Sequence, residues 1–288
     1  MKILHTISIL LVLLPIRLSG QIVGSVTDKS TGNPVPYANV FVKGQDKGAT
    51  TDLYGLFKLN QVGQNTLLVI SAIGYETQEA YSKEQINIEL LQKIYELPEI
   101  KVIPKKHKEK LTIDPLKKIK SKSFISPAGD YPWILTKFFA YRPEFGSTSF
   151  INQIKILTLC HLDSALFNLR LIAAGPNGQP TVDLLNKNLI VSAKKGEKLT
   201  SIDLLDYNIM FPEYGLFVAY EWLTVGQNYY QNLQSPRSSL DPMIGILPDE
   251  NKNEIWMYSK GTWYKSKLFY NPSHTITGQL AIQLTWTK

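Results

Sequence analysis

Thr66-Leu67-Leu68-Val69-Ile70-Ser71-Ala72-Ile73 is an almost wholly apolar run, closed by Gly74-Tyr75. Eight residues rich in branched side chains, ended by a turn signal, read as a central strand buried on both faces. Its neighbours carry the same grammar. Ile22 to Thr27, Tyr37 to Lys43, Gly48 to Thr51 and Leu56 to Leu59 read as strands before it. Glu76 to Tyr81, Ile86 to Leu90 and Ile100 to Val102 read as strands after it. Between the first two lies Asp28-Lys29-Ser30-Thr31-Gly32-Asn33-Pro34, where Asp and Asn bond their own backbone, Gly allows positive φ and Pro fixes its own. Seven or eight short strands at this spacing predict a small antiparallel sandwich over residues 21–103.

The ordered set Gly24-x-Val26-x-Asp28, Thr31-Gly32-x-Pro34, Ala38-Asn39-Val40, Thr51-Asp52-x-x-Gly55-x-Phe57 and Ser71-x-Ile73-Gly74-Tyr75 resembles the carboxypeptidase-regulatory-like domain. The resemblance implies a transthyretin-like β-sandwich of the kind carried by Bacteroidetes envelope proteins. It implies no peptidase activity, because the zinc enzyme of that family is a separate domain. The motif residues themselves read as structural. Gly32, Gly55 and Gly74 supply turn geometry, Asp28 and Asp52 bond loop amides, and Tyr75 packs at a sheet corner. A calcium site on Asp28 and Asp52 is the weaker alternative, since no dense acidic loop surrounds them.

Before this domain, Met1-Lys2-Ile3-Leu4, the apolar stretch Ile7 to Leu14, Pro15 and Ser19-Gly20 follow the order of a secretory signal peptide. The expected segment is 1–20, with Gln21 first in the mature chain. No Cys follows, so a lipid anchor on this chain is not expected. No run of about 18 uninterrupted apolar residues is present to cross a bilayer. The expected location is the periplasm or the outer membrane's surface, reached through partners.

After the domain comes a basic linker, residues 104–123. Nine lysines against Glu109 and Asp114 between Lys101 and Lys122 hold nearly all of the excess in a net charge of +7. Like charges extend this stretch, and Asp114 to Lys122 is expected to form one or two helical turns capped by Asp114. The sharper reading is a contact with an anionic surface through Lys105 to Lys122. The folded parts are near neutral, which excludes a nucleic-acid footprint.

Residues 124–288 read as a second all-β domain. Expected strands are Trp133 to Tyr141, Ser149 to Leu159, Ala165 to Ala173, Leu189 to Ala193, Ser201 to Leu204, Leu216 to Leu223, Glu254 to Ser259, Thr262 to Lys267 and Gln279 to Thr287. About nine strands with hardly any helix predict a jelly-roll-like sandwich. Lys260-Gly261 marks a tight hairpin. The single cysteine, Cys160, reads as a buried small hydrophobe rather than a reactive thiol.

No His-Glu-x-x-His, Gly-x-Ser-x-Gly or phosphate loop occurs, and no catalytic, cofactor or metal residue is expected. Asp203 and Glu221 stand out as polar anchors. The aromatics Tyr229, Tyr230, Trp256, Tyr258, Trp263 and Tyr264 cluster late in the chain. They serve the core, a partner interface or a glycan platform. The expected function is a non-catalytic exported interaction module, an accessory subunit of an outer-membrane or envelope complex for protein assembly or nutrient import. A glycan-binding module is the alternative, and a hydrolase with dispersed carboxylates comes third.

Overall fold

A computed structural model describes residues 20–93, 110–116, 123–127, 129, 131–143, 149–231, 238–249, 251, 254–269 and 276–287. The signal segment, the strand expected at Ile100 to Val102 and most of the lysine stretch lie outside these residues.

The first domain holds β1 (Ile22–Asp28), β2 (Asn39–Val42), β3 (Gly48–Thr50), β4 (Leu56–Leu59), β5 (Leu67–Ser71), β6 (Gln78–Tyr81) and β7 (Gln85–Leu90). Two sheets, β4-β1-β7 and β3-β2-β5-β6, face each other across a core that includes Val26, Val40, Phe57, Leu68, Ile70 and Ile88. The apolar run is indeed internal, with β5 flanked by β2 and β6. β1 and β7 run parallel, whereas the expected sandwich was antiparallel throughout. The chain crosses from one sheet to the other between β6 and β7, so β7 arrives at β1 in the same direction.

Local chemistry follows the turn reading. Asp28 accepts the Ser30 and Thr31 amides at 2.8 and 3.0 Å, and its other oxygen takes the Tyr75 hydroxyl at 3.0 Å. Asp52 accepts the Tyr54 and Leu56 amides at 2.8 and 2.9 Å. Both carboxylates are therefore committed to loop amides.

β6 and β7 end their sheets. The bonds Val23 N to Glu84 O and Lys29 N to Leu90 O fix the phase of β7, so Gln85, Asn87 and Glu89 turn their backbone groups away from β1. The bond Ser82 N to Thr66 O sets Glu79 and Tyr81 outward in β6. Tyr81 and Leu91 are 63% and 49% exposed at these edges.

The second domain comprises β8 (Lys110–Ile113), β9 (Ser123–Ile125), β10 (Ile134–Phe139), β11 (Phe150–Ala174), β12 (Pro180–Asp183), β13 (Leu189–Asp203), β14 (Leu216–Trp222), β15 (Tyr229–Gln231), β16 (Ser238–Leu240), β17 (Met243–Pro248), β18 (Glu254–Ser259), β19 (Thr262–Lys267), β20 (Gly278–Leu280) and β21 (Ile282–Thr287). Twelve of them share one antiparallel sheet around the path β19-β18-β10-β14-β11-β17-β20.

Three details differ from the sequence reading. The two strands expected at Ser149 to Leu159 and Ala165 to Ala173 are one strand, β11. Leu189 to Leu204 is likewise one strand, β13, plus its end. A 25-residue strand would reach about 80 Å if straight. β11 instead bends where its register with β13 shifts between Cys160 and Ser164. Its first half pairs β21 and its second half β14, so the sheet curls over itself and closes a core at Phe167, Tyr220 and Trp222. Third, Lys110–Ile113 is not linker: β8 pairs β21, and Asp114, at φ 50°, pairs with the buried Lys137 at 2.8 Å. Alternating Leu111 and Ile113 give that stretch a strand period inside a charged sequence.

Candidate functional site

The curled sheet has a second buried face. Residues 167, 169, 171, 218, 220 and 222 enter the main core, while Ile134, Ile172, Phe217 and Ala219 form a separate cluster on the other side. Pairing registers place Asn168 opposite Glu221, Glu221 opposite Ile134, Ile134 opposite Tyr258 and Tyr258 opposite Trp263. One row of side chains thus crosses five strands.

The first domain lies on this row. β2 is buried at all four positions. Val40 and Val42 fill the sandwich core, and the alternation turns Asn39 and Phe41 the other way. Asn39 donates its amide to Glu221 Oε1. Phe41 meets Tyr258 edge to face at 5.4 Å, and Tyr258 meets Trp263 at 5.2 Å. Val69 of β5 packs on Gly261, where an added Cβ would stand 2.9 Å from Val69 Cγ2. Gly261 also sits at φ 80°, so the β18–β19 hairpin needs glycine for conformation and for approach. Thr50 and Thr224 exchange amide-to-hydroxyl bonds of 2.7 and 3.1 Å across the same seam. Asn188 donates to Pro36 O at 3.2 Å.

Charges are buried at the centre. Glu221 is 2% exposed, and its Oε2 accepts Asn168 Nδ2 at 2.8 Å. Arg170 holds Asp183 in a two-pronged pair, Nε to Oδ1 at 2.9 Å and Nη2 to Oδ2 at 2.7 Å, with Nη1 3.9 Å from Glu221. Burial pushes Glu221 above the usual carboxylate range, against the pull of Arg170, Asn39 and Asn168. For Arg170 burial opposes the charge, but the Asp183 and Glu221 carboxylates outweigh it and its pKa rises. Asn39 Oδ1 is buried without a hydrogen bond. A polar cavity of about 150 Å³ borders Tyr37, Ser71, Arg170, Asp183 and Glu221. Because each of these charged groups already has a partner, the arrangement is suited to fixing two domains together.

The late aromatics do not form one platform. Tyr258 and Trp263 serve the seam. Trp256 donates to Gly178 O at 2.9 Å under Lys265, 5.3 Å from its ring centre. Tyr230 stacks on His161 at 4.4 Å, Tyr264 packs half-buried against the main core, and Tyr229 lines a groove beside the seam. Of the polar anchors, Glu221 belongs to the seam, whereas Asp203 caps the Leu205 amide at 3.0 Å on the surface. Asn39, Asn168, Arg170 and Asp183 carried no functional signal in the motif reading. The available one was a lone polar residue inside apolar strands, as in Leu169-Arg170-Leu171. Cys160 is buried, and burial pushes its thiol up to about 11. Among the described residues, no cluster of three or more His, Cys, Asp or Glu could hold a metal, and no helix is long and apolar enough to cross a membrane.

Comparison with known proteins addresses the first domain. The model of the CarboxypepD_reg-like domain matches residues 22–102. The TonB-dependent receptor SusC of Bacteroides thetaiotaomicron is 40% identical over 81 residues, 28% of this chain and 8% of the receptor. A TonB-dependent receptor of Formosa agariphila is 35% identical over 85 residues, 29% of this chain and 8% of its own length. The match thus spans under a tenth of these relatives. A clostridial cysteine protease, Cwp84 after propeptide cleavage, superposes with a TM-score of 0.37 at 9% identity over 87% of this chain and 65% of that one, a likeness that carries no argument. Residues 22–102 of this chain are a CarboxypepD_reg-like domain.

Proposed function

We propose that the chain is a non-catalytic exported interaction module, an accessory subunit of an outer-membrane or envelope complex engaged in protein assembly or nutrient import. The seam carries this reading: a buried polar row joins the CarboxypepD_reg-like domain to the second domain as one unit, and engages the charged groups at its centre. The outward backbone of β6 and β7, beside exposed Tyr81 and Leu91, offers a partner an edge for strand addition. Kinship of the first domain with TonB-dependent receptors supports the envelope setting. The test is purification of the native protein from detergent extracts of the envelope. A stoichiometric partner is expected; a lone monomer across several mild detergents refutes the reading.

A further inference from the structure

β7 is flanked on one side by β1, and on the other side the chain only begins to flank it. Tyr75 bridges Gln92 in the antiparallel sense, the Glu76 amide goes to the Leu91 carbonyl at 2.9 Å, and the Lys93 amide goes to the Gly74 carbonyl at 2.8 Å. Past Thr77 the chain leaves that line and pairs β5 as β6. The place beside Gln85 to Glu89 is thereby vacated over about 17 Å. A hollow of about 430 Å³ opens there between β6 and β7. Ala80, Ile86, Ile88 and Leu91 supply its apolar wall, and Lys29, Glu76 and Glu89 line it as well.

What fits follows from what the vacated place leaves exposed. The outward N–H and C=O groups of Gln85, Asn87 and Glu89 bond to none of the described residues. They recur at every second residue, the spacing at which an extended chain presents its own. A small molecule matches one such residue, whereas a strand matches all three. Pairing stops at Leu91, whose carbonyl Glu76 already holds. β6 is the poorer edge, because only Glu79 and Tyr81 turn outward within it. In a strand added to β7, side chains opposite Ile86 and Ile88 enter the hollow, and those opposite Gln85, Asn87 and Glu89 face water. Charge then selects among such strands. At the hollow, the Glu76 and Glu89 carboxylates stand against the single ammonium of Lys29, and none of the three is in an ion pair with a described residue. In the adjoining turn Lys83 offsets Glu84. The surplus is negative, which favours lysine or arginine at the water-facing positions.

We propose that β7 takes an extended basic segment of a partner protein as an added strand beside Gln85 to Glu89, antiparallel like residues 74–76, with alternate apolar side chains in the hollow. The inference rests on the module reading and names what this edge takes. Fluorescence anisotropy of the full chain with a blocked, labelled heptapeptide of alternating lysine and valine tests it. That peptide is expected to bind, and its analogue with glutamate for lysine is not. In the antiparallel pairing the lysine N–H groups point at β7 and the valine N–H groups point away. N-methylation of the lysine amides should therefore weaken binding about a hundredfold, and N-methylation of the valine amides should leave it. Asn87→Pro should weaken it at least about tenfold. The Asn87 N–H faces away from β1, so proline there removes an edge donor without breaking a bond of the sheet. Failure of the basic peptide to bind, equal binding of the glutamate analogue, or equal loss from both methylated peptides overturns the proposal. Binding that survives Asn87→Pro overturns it too, as does a homodimer that Asn87→Pro dissolves. An envelope partner that co-purifies alike with wild type and Asn87→Pro overturns it while leaving the module reading in place.

Discussion

Asn39 and Glu221 lie 182 residues apart in the chain, one in each domain, and the Asn39 amide donates to the Glu221 carboxylate in a place closed to solvent. This pair makes β2 part of two cores at once. It also loads the seam with a carboxylate that burial disfavours.

Replacing Glu221 by Ala strands the buried Asn39 amide and removes a countercharge from Arg170, so a loss of about 3–5 kcal/mol in urea unfolding is expected. Glu221→Gln keeps the shape, and its Nε2 donates to Asn39 Oδ1 once that amide turns over, so a change within about 1 kcal/mol is expected. Because the folded pKa is raised above the ordinary value of 4.5, wild-type stability falls as pH rises from there towards the folded value. Glu221→Gln lacks this decline. A stability–pH profile from pH 4 to 8 in which both proteins run parallel refutes the assignment.

Phe41→Ala empties the seam without touching the sandwich core, where Val40 and Val42 point. A loss of about 3–4 kcal/mol is expected. All five tryptophans lie in the second domain, at positions 133, 222, 256, 263 and 286. Tryptophan fluorescence and far-ultraviolet circular dichroism should therefore give coincident urea transitions in the wild type and separate ones in Phe41→Ala.

Asp28 is held well below the usual carboxylate range, chiefly by the Ser30 hydroxyl and the Gln92 amide. A depressed pKa contributes stability above the unfolded value near 3.8 that is lost as pH falls through the folded one. Asp28→Asn is expected to be less stable than the wild type at pH 7, with the gap closing below pH 4. Thermal melts across that range check it.

Cys160 is buried, with its thiol raised to about 11. Maleimide at pH 8 should leave it unmodified in the folded protein and label it fully in urea. Rapid labelling without denaturant contradicts the packing of β11 against β13.

What could be read from sequence followed the range of the forces involved. β5, the Asp28 and Asp52 turns and the β18–β19 hairpin depend on near neighbours, and the residues announce them. The bend in β11 was read as a break, because His161, Asp163 and Ser164 look like loop residues; in the structure they occupy a bulge within one strand. β8 was hidden by the lysines around it. Glu221 could be singled out as a polar residue between Tyr220 and Trp222, but not its partner. Asn39 sits in a short strand read only as a strand, and its face with Phe41 is closed by residues of the second domain. Tyr258 and Trp263 were visible as aromatics, while their common seam depends on pairing between distant strands.

Gly261 against Val69 has a consequence for anyone borrowing the first domain. The stretch that aligns with receptors is a unit of inheritance, but its outer sheet is tailored to this one neighbour. Cut out alone at residues 20–93, it would expose Phe41 and Val69 as a greasy plaster and self-associate, until those two positions were repainted with polar residues.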